Sequence, residues 1–216
     1  MAVHPLHQGK VIEIIGCAGS GKSSVTERLS EDDFVQTSIS PSEYKTQCLK
    51  YIILRLPILL LLCLLRVRRH YLKNLIRVEA ALAVAQRAKK KHLISNKTLV
   101  LDQGPISKLA YLHLKGVPNK IVELWLKALQ KASFQTFDLL VCLDAPNDVL
   151  HFRVNNRHKH HKIKNKPKEL ADGFYSVYRA CLKTVINNGT KEIPCEYINT
   201  EDMSIDDVSE RIRKLL

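Results

Sequence analysis

What this chain lacks narrows it first. It has six cysteines (Cys17, Cys48, Cys63, Cys142, Cys181, Cys195) but no Cys-x-x-Cys pair and no Cys/His cluster at zinc spacing. That excludes a zinc ribbon or a dithiol redox motif and leaves reduced thiols, as expected for a cytoplasmic protein. Met1 to Lys10 contains no apolar run, so no secretory signal is visible. Aromatics are only 6% of residues and are not interleaved with the basic ones, so no nucleic-acid partner is expected. There is no internal repeat and no low-complexity linker. The longest apolar stretch, Tyr51 to Leu65, spans about 22 Å as a helix, short of the ~30 Å hydrocarbon core, and Arg55 and Pro57 interrupt it.

What remains is a chain of 216 residues with an ordinary 45% hydrophobic content: one domain, or one domain with a lid or insertion. The net charge of +13 points to polyanionic company such as nucleotides or an acidic membrane surface. Glycine is scarce at eight residues, yet three of them fall in Gly16-Cys17-Ala18-Gly19-Ser20-Gly21-Lys22-Ser23. This is the complete Gly-x4-Gly-Lys-Ser pattern of a phosphate-binding P-loop (Walker A). The glycines let successive backbone N–H groups face phosphate oxygens, Lys22 reaches the β- and γ-phosphates, and the Ser23 hydroxyl can ligate Mg²⁺. The β-rich run Val11–Ile15 precedes the loop, and a helical segment from Ser23 through Ser24 to Leu29 follows it, completing an anion site at a helix N-terminus.

Five strands are expected, at Val11–Ile15, Phe34–Ile39, Thr98–Asp102, Asp138–Asp144 and Cys195–Asn199. Helical stretches at 75–92, 119–133, 170–188 and 204–216 alternate with them, the last opened by a Ser204/Asp207 capping box. Alternating strands and helices imply a three-layer α/β fold with a parallel sheet covered on both faces. Two segments break the pattern: an apolar helical insertion at about 46–75 and a basic stretch at about 153–170. The second contains the His/Lys run Arg157 to Lys168.

Phosphoryl transfer is mostly positioning and charge neutralisation, so the P-loop needs a metal carboxylate and further cations. Asp102 ends an apolar strand, where it would face the ligand crevice and could hold Mg²⁺ through water. Asp-Gln-Gly-Pro is also turn chemistry, the alternative for this residue. Arg153 and Arg157, four apart, would share a helix face and close as a basic lid over transferred phosphate. The run beyond them reads equally as a solvated loop, and His158, His160 and His161 lack the partners of a metal site.

These residues resemble the thymidylate kinase branch of the P-loop nucleoside monophosphate kinases. That family's Asp-Arg-Tyr-x-x-Ser-x-x-Ala-Tyr-Gln signature is similar to Asp102-Gln103-Gly104-Pro105-Ile106-Ser107-Lys108-Leu109-Ala110-Tyr111-Leu112 here. Ala85-Gln86-Arg87 resembles its substrate-binding helix, and Asp138–Asp144 followed by Arg153-x-x-x-Arg157 resembles its fourth strand and lid entry. The resemblance covers roughly residues 10–160, with a weaker match through Tyr197-Ile198-Asn199. It implies strand order 2-3-1-4-5, ATP and Mg²⁺ as cofactors, and a homodimer as one option. The departures are Gln103 for arginine, Gly104 for tyrosine and Leu112 for glutamine. Loss of a cation and an amide should change the acceptor, since a site built to pair polar groups rejects ligands that leave them unpaired.

The reading is an ATP- and Mg²⁺-dependent phosphotransferase acting on a small hydroxyl- or phosphate-bearing acceptor other than thymidylate. Lys22, Asp102, Arg153 and Arg157 form the catalytic set, and Gln103, Ser107 and Tyr111 are candidates for the acceptor pocket. Arg87 could meet an acceptor anion, and Glu43 could accept the proton of an attacking hydroxyl, though each also reads as a surface residue. The alternative is a nucleotide-regulated switch with no acceptor chemistry. For Tyr51–Leu65 three readings stand: a buried helix of an enlarged lid, a dimer face, or an interfacial helix whose Arg66, Arg68, Arg69, Lys73 and Arg77 meet anionic headgroups.

Overall fold

A computed structural model describes residues 9–37, 41–95, 97–158, 161–189 and 193–216. Five parallel strands form one sheet: β1 Val11–Gly16, β2 Val35–Gln36, β3 Thr98–Asp102, β4 Leu139–Asp144 and β5 Cys195–Asn199. Their order is β2-β3-β1-β4-β5. The registers pair Val35 with Thr98, Val11 with Leu99, Ile12 with Leu139 and Leu140 with Cys195. The second strand is shorter than its sequence suggests, and the end of the expected run, at Ile39, lies outside the described residues.

The helices among the described residues are α1 Lys22–Leu29, α2 Pro41–Leu54, α3 Leu56–Leu64, α4 Arg69–Ser95, α5 Pro105–Leu114, α6 Lys120–Thr136, α7 Asn147–Asn156, α8 Lys168–Asn187 and α9 Ile205–Arg213. Side-chain alternation along the strands builds the layers. Val11, Ile15, Leu99, Leu101 and Leu140 point into a core shared with α4, α5, α6 and α8. Ile12, Ile14, Val100, Val141 and Leu143 point the other way, against Val25 and Leu29 of α1 and Val208 and Ile212 of α9. This is the three-layer α/β arrangement the alternation implied. The α9 capping box is present: the Ser204 hydroxyl accepts from the Asp207 N–H at 3.1 Å, and the Asp207 carboxylate accepts from the Ser204 N–H at 3.0 Å.

The leucine-rich segment departs from the buried-helix expectation. It is broken at Arg55 into α2 and α3, which bend by 68°. Leu62 is fully buried, Ile58 and Leu59 partly so, but most of the remaining leucines face outward. The sheet face on this side is covered by α4, α5, α6 and α8, and Leu62, Ile58 and Leu59 join that core. Among the described residues no single helix is long and apolar enough to cross a membrane.

Candidate active site

The P-loop sits where β1 meets α1, at the C-terminal edge of the central strand. Gly16 has φ +142°, and a Cβ there would stand 2.0 Å from the Leu143 carbonyl oxygen of the neighbouring strand, so no other residue fits. Lys22 folds over the loop: its ammonium donates to the Gly16 carbonyl at 3.0 Å, the Cys17 carbonyl at 2.7 Å and the Ser20 hydroxyl at 3.4 Å. Burial pushes the Lys22 pKa below its usual range, and the charge of Asp102 acts in the opposite direction. Cys17, the second residue of the loop, is buried, and burial pushes its thiol up to about 12.

Asp102 closes β3 beside the first turn of α1. Its Oδ2 accepts the Ser23 hydroxyl hydrogen at 2.6 Å, whereas Oδ1 is buried without a hydrogen-bond partner. An orphaned carboxylate oxygen next to a serine hydroxyl is a hard-oxygen donor set of the kind Mg²⁺ takes when phosphate oxygens and waters complete its shell. Among the described residues no three His, Cys, Asp or Glu side chains are grouped to hold a metal by themselves. A cation here would therefore depend on the bound phosphates.

A cleft of about 790 Å³ opens above the loop. Residues 18–25 line it together with Gln103, Ser107, Tyr111, Arg153 and Arg157. The structure thus brings the P-loop, the two arginines expected of a lid and three of the acceptor candidates to one cleft. The expected shared helix face is corrected: α7 ends at Asn156, and Arg157 adopts extended backbone as its C-cap. Arg153 instead reaches β5's exit loop, donating to the Thr200 hydroxyl at 3.0 Å and the Thr200 carbonyl at 2.7 Å. Arg157 keeps a buried Nε without a partner. Beyond it, the described part of the basic run is anchored: Ile163 is buried against Cys17, Leu150 and Tyr175, and the Lys162 ammonium donates to the Tyr111 hydroxyl and lies over its ring. Lys159 and His160 lie outside the described residues.

Glu43 and Arg87 are not in the cleft lining. Arg87 lies 4.0 Å from the Glu43 carboxylate and, with the Gln47 amide turned so that its oxygen faces the guanidinium, donates to the Gln47 amide oxygen at 2.6 Å. These contacts knit α2 to α4. Leu112, where the resembling family carries glutamine, is fully buried in the core.

Several residues escaped the sequence reading. Asn74, Arg77, Lys108, Phe174 and Tyr178 also line the cleft. Arg77, which one of the three readings of the leucine segment placed among lipid-facing cations, lines the cleft instead. Asp144, which ends β4 as Asp102 ends β3, is gripped by Arg179 through Nε at 2.6 Å and NH2 at 3.1 Å. Strand-end position could have flagged Asp144, but nothing local marks Arg179. Glu13 escaped it as well: it is 0% exposed in the middle of β1, and its carboxylate accepts from the N–H groups of Ile106 at 3.0 Å and Ser107 at 2.8 Å. It holds the N-terminus of α5, where Gln103 takes a left-handed φ of 61° just ahead of it. Burial raises its pKa to about 7, and the two N–H groups oppose that rise. A Cβ on Gly104 would stand 2.6 Å from the same carboxylate.

No family model and no curated protein matches the sequence. Solved structures do match. A thymidylate kinase from Candida albicans superposes with a TM-score of 0.60 at 14% identity, over 96% of this chain and 91% of that one. A deoxyadenosine kinase from M. mycoides with bound dATP gives 0.57 at 12% identity, over 95% and 98%. The same enzyme with bound dCTP gives 0.56 at 11% identity.

The fold is that of the thymidylate kinase-like P-loop kinases. At such identities the likeness is one of architecture, and it extends across nearly the whole chain. The β2-β3-β1-β4-β5 order and the location of the loop between β1 and α1 belong to that architecture.

Proposed function

We propose that this protein is a kinase that transfers a phosphoryl group from ATP to a small hydroxyl- or phosphate-bearing acceptor. The observation that carries this is the Ser23–Asp102 contact at 2.6 Å, beside Lys22 and within a cleft lined by Arg153 and Arg157. Loop amides and Lys22 bind the donor phosphates. Ser23 and Asp102 are the side chains suited to Mg²⁺, which when bound neutralises phosphate charge. Arg157 lines the cleft as a cation with a donor to spare, suited to charge that builds on the transferred group. Arg153 ties this region to the loop after β5. The stretch 153–170 acts as the basic lid and 46–75 as an inserted helical segment of one domain.

The structural neighbours are kinases of a deoxynucleoside and of thymidylate, so a nucleoside or nucleotide acceptor is the first class to test. Thymidylate itself is disfavoured by the acceptor-side residues. Gln103 replaces a cation, and Gly104 leaves room that Glu13 fills rather than a substrate. Tyr111, Ser107, Lys108, Asn74 and Arg77 define the remaining wall.

A transfer screen with ATP and Mg²⁺ fixed, across nucleosides, nucleotides, sugars and lipid-linked alcohols, tests the proposal. Acceptor-dependent ADP release is the expected result. ADP release that ignores every acceptor but responds to a protein partner would instead establish the nucleotide switch.

A further inference from the structure

We propose that the α2–α3 elbow is a membrane-surface site that binds anionic lipid headgroups, with its leucines entering the headgroup–acyl boundary. Ile53, Leu54, Leu60, Leu61, Leu64 and Leu65 are all exposed, Leu64 at 80% and Ile53 at 67%. A contiguous apolar patch of this kind rarely stays in water on a soluble monomer.

The elbow is built rather than loose. Arg55, between the two helices, donates to Glu79 Oε1 at 3.1 and 2.9 Å and lies 5.6 Å from the centre of the Trp125 ring, while the Trp125 N–H donates to the same oxygen at 3.0 Å. Glu79 is itself buried. Pro57 sits in the first turn of α3, and the bend is 68°. This geometry holds the apolar turns of α2 and α3 at a fixed angle to each other, two short arms rather than one straight span.

The end of α3 carries a second signal. The Arg66 N–H donates to the Cys63 carbonyl at 3.0 Å and the Val67 N–H to the Leu62 carbonyl at 2.9 Å, the pairing of a Schellman C-cap. Arg66 occupies the left-handed position, with φ 57°, where glycine would be unstrained. An arginine thus stands in a left-handed position at the edge of the leucine patch.

Charge decides what covers the patch. Between Glu43 and Glu79 there is no acidic residue. Lys45, Lys50, Arg66, Arg68, Arg69 and Lys73 are exposed, and none takes part in an ion pair among the described residues. A second copy would bring the same cations against themselves, whereas anionic headgroups complement them while the leucines enter the boundary.

Flotation of the full chain with phosphatidylcholine vesicles, with and without phosphatidylglycerol, tests this without reference to kinase activity. The protein should float with the anionic vesicles only, and salt that shortens the Debye length to about 3 Å should release it. Arg66→Gly should melt no lower than wild type yet partition about fivefold more weakly, the effect of one basic residue near the surface. Leu64→Asp should also reduce flotation, and its exposure makes it compatible with folding. Two results overturn the proposal: a protein that stays in the soluble fraction with anionic vesicles at low salt, or a dimer that Leu64→Asp dissolves while flotation is unchanged.

Discussion

The Ser23 hydroxyl donates to Asp102 at 2.6 Å, joining the start of α1 to the end of β3 across 79 residues of chain. If both groups serve one Mg²⁺, their losses should not add. Ser23→Ala and Asp102→Asn should each lower acceptor-dependent ADP release by about 10²-fold or more and raise the Mg²⁺ concentration needed for half-maximal rate. The double variant should be little worse than the poorer single one. Multiplicative losses would show that the two act separately.

Lys22 donates to the Gly16 and Cys17 carbonyls, but the loop's shape is set by its glycines. Lys22→Ala should therefore abolish transfer, a loss of at least about 10²-fold, while circular dichroism stays that of the wild type. An active Lys22→Ala protein would remove the donor-site mechanism altogether.

Arg157 and Arg153 should separate kinetically. Arg157→Ala should reduce kcat by about 10²-fold or more, and lysine should restore little, because a compact ammonium does not reproduce the planar fork. Arg153→Ala should act mainly on KM for ATP, since its guanidinium holds the Thr200 backbone and hydroxyl. Equal effects on the two constants for both variants would contradict the assigned roles.

Gly104 is constrained by the Glu13 carboxylate rather than by its own backbone angles. Gly104→Ala should cost about 1–3 kcal/mol, because a buried, doubly bonded carboxylate cannot move aside. For a chain of this size that is a fall of about 2–4 °C in Tm for each kcal/mol. Combined with Glu13→Ala, the additional cost of the alanine at 104 should largely vanish, which a double-mutant cycle of melting temperatures will read.

Glu13 should also leave a pH signature. Its folded pKa of about 7 lies above its ordinary value of 4.5, so between those values the folded state binds more protons than the unfolded one. The contribution to stability is complete below about 4.5 and is lost as pH rises towards 7. Wild type minus Glu13→Gln, compared by denaturant unfolding, should therefore shrink between pH 5 and 7 and be flat above 8. A difference that stays flat from pH 5 to 8 would mean that the folded carboxylate is charged throughout that range.

The sheet was legible because parallel, doubly covered strands are short apolar runs, and each of Val11–Gly16, Thr98–Asp102 and Leu139–Asp144 is bounded by turn residues. Helix α5 was missed because its start is stabilised by Glu13, 93 residues away from Ile106, rather than by a local cap. Arg153 and Arg157 were expected on one helix face at four-residue spacing. The chain leaves the helix between them, and the cleft reunites them by a different route.

By itself, the sequence determined where the phosphate-binding loop motif lies and which groups it presents. The eight residues from Gly16 to Ser23 carry their own amides, ammonium and hydroxyl, so their chemistry follows from local spacing. The family resemblance, rather than any residue pattern, implied the sheet order, and the structure has it as β2-β3-β1-β4-β5. Only the tertiary structure decided which groups stand across from the loop and which leucines reach water. The pairs Glu13 with α5, Asp144 with Arg179 and Arg55 with Glu79 join residues whose separation no periodicity encodes. A leucine's hydrophobicity is the same buried or exposed. Only packing against the already covered sheet leaves Leu64 outside and Leu62 within.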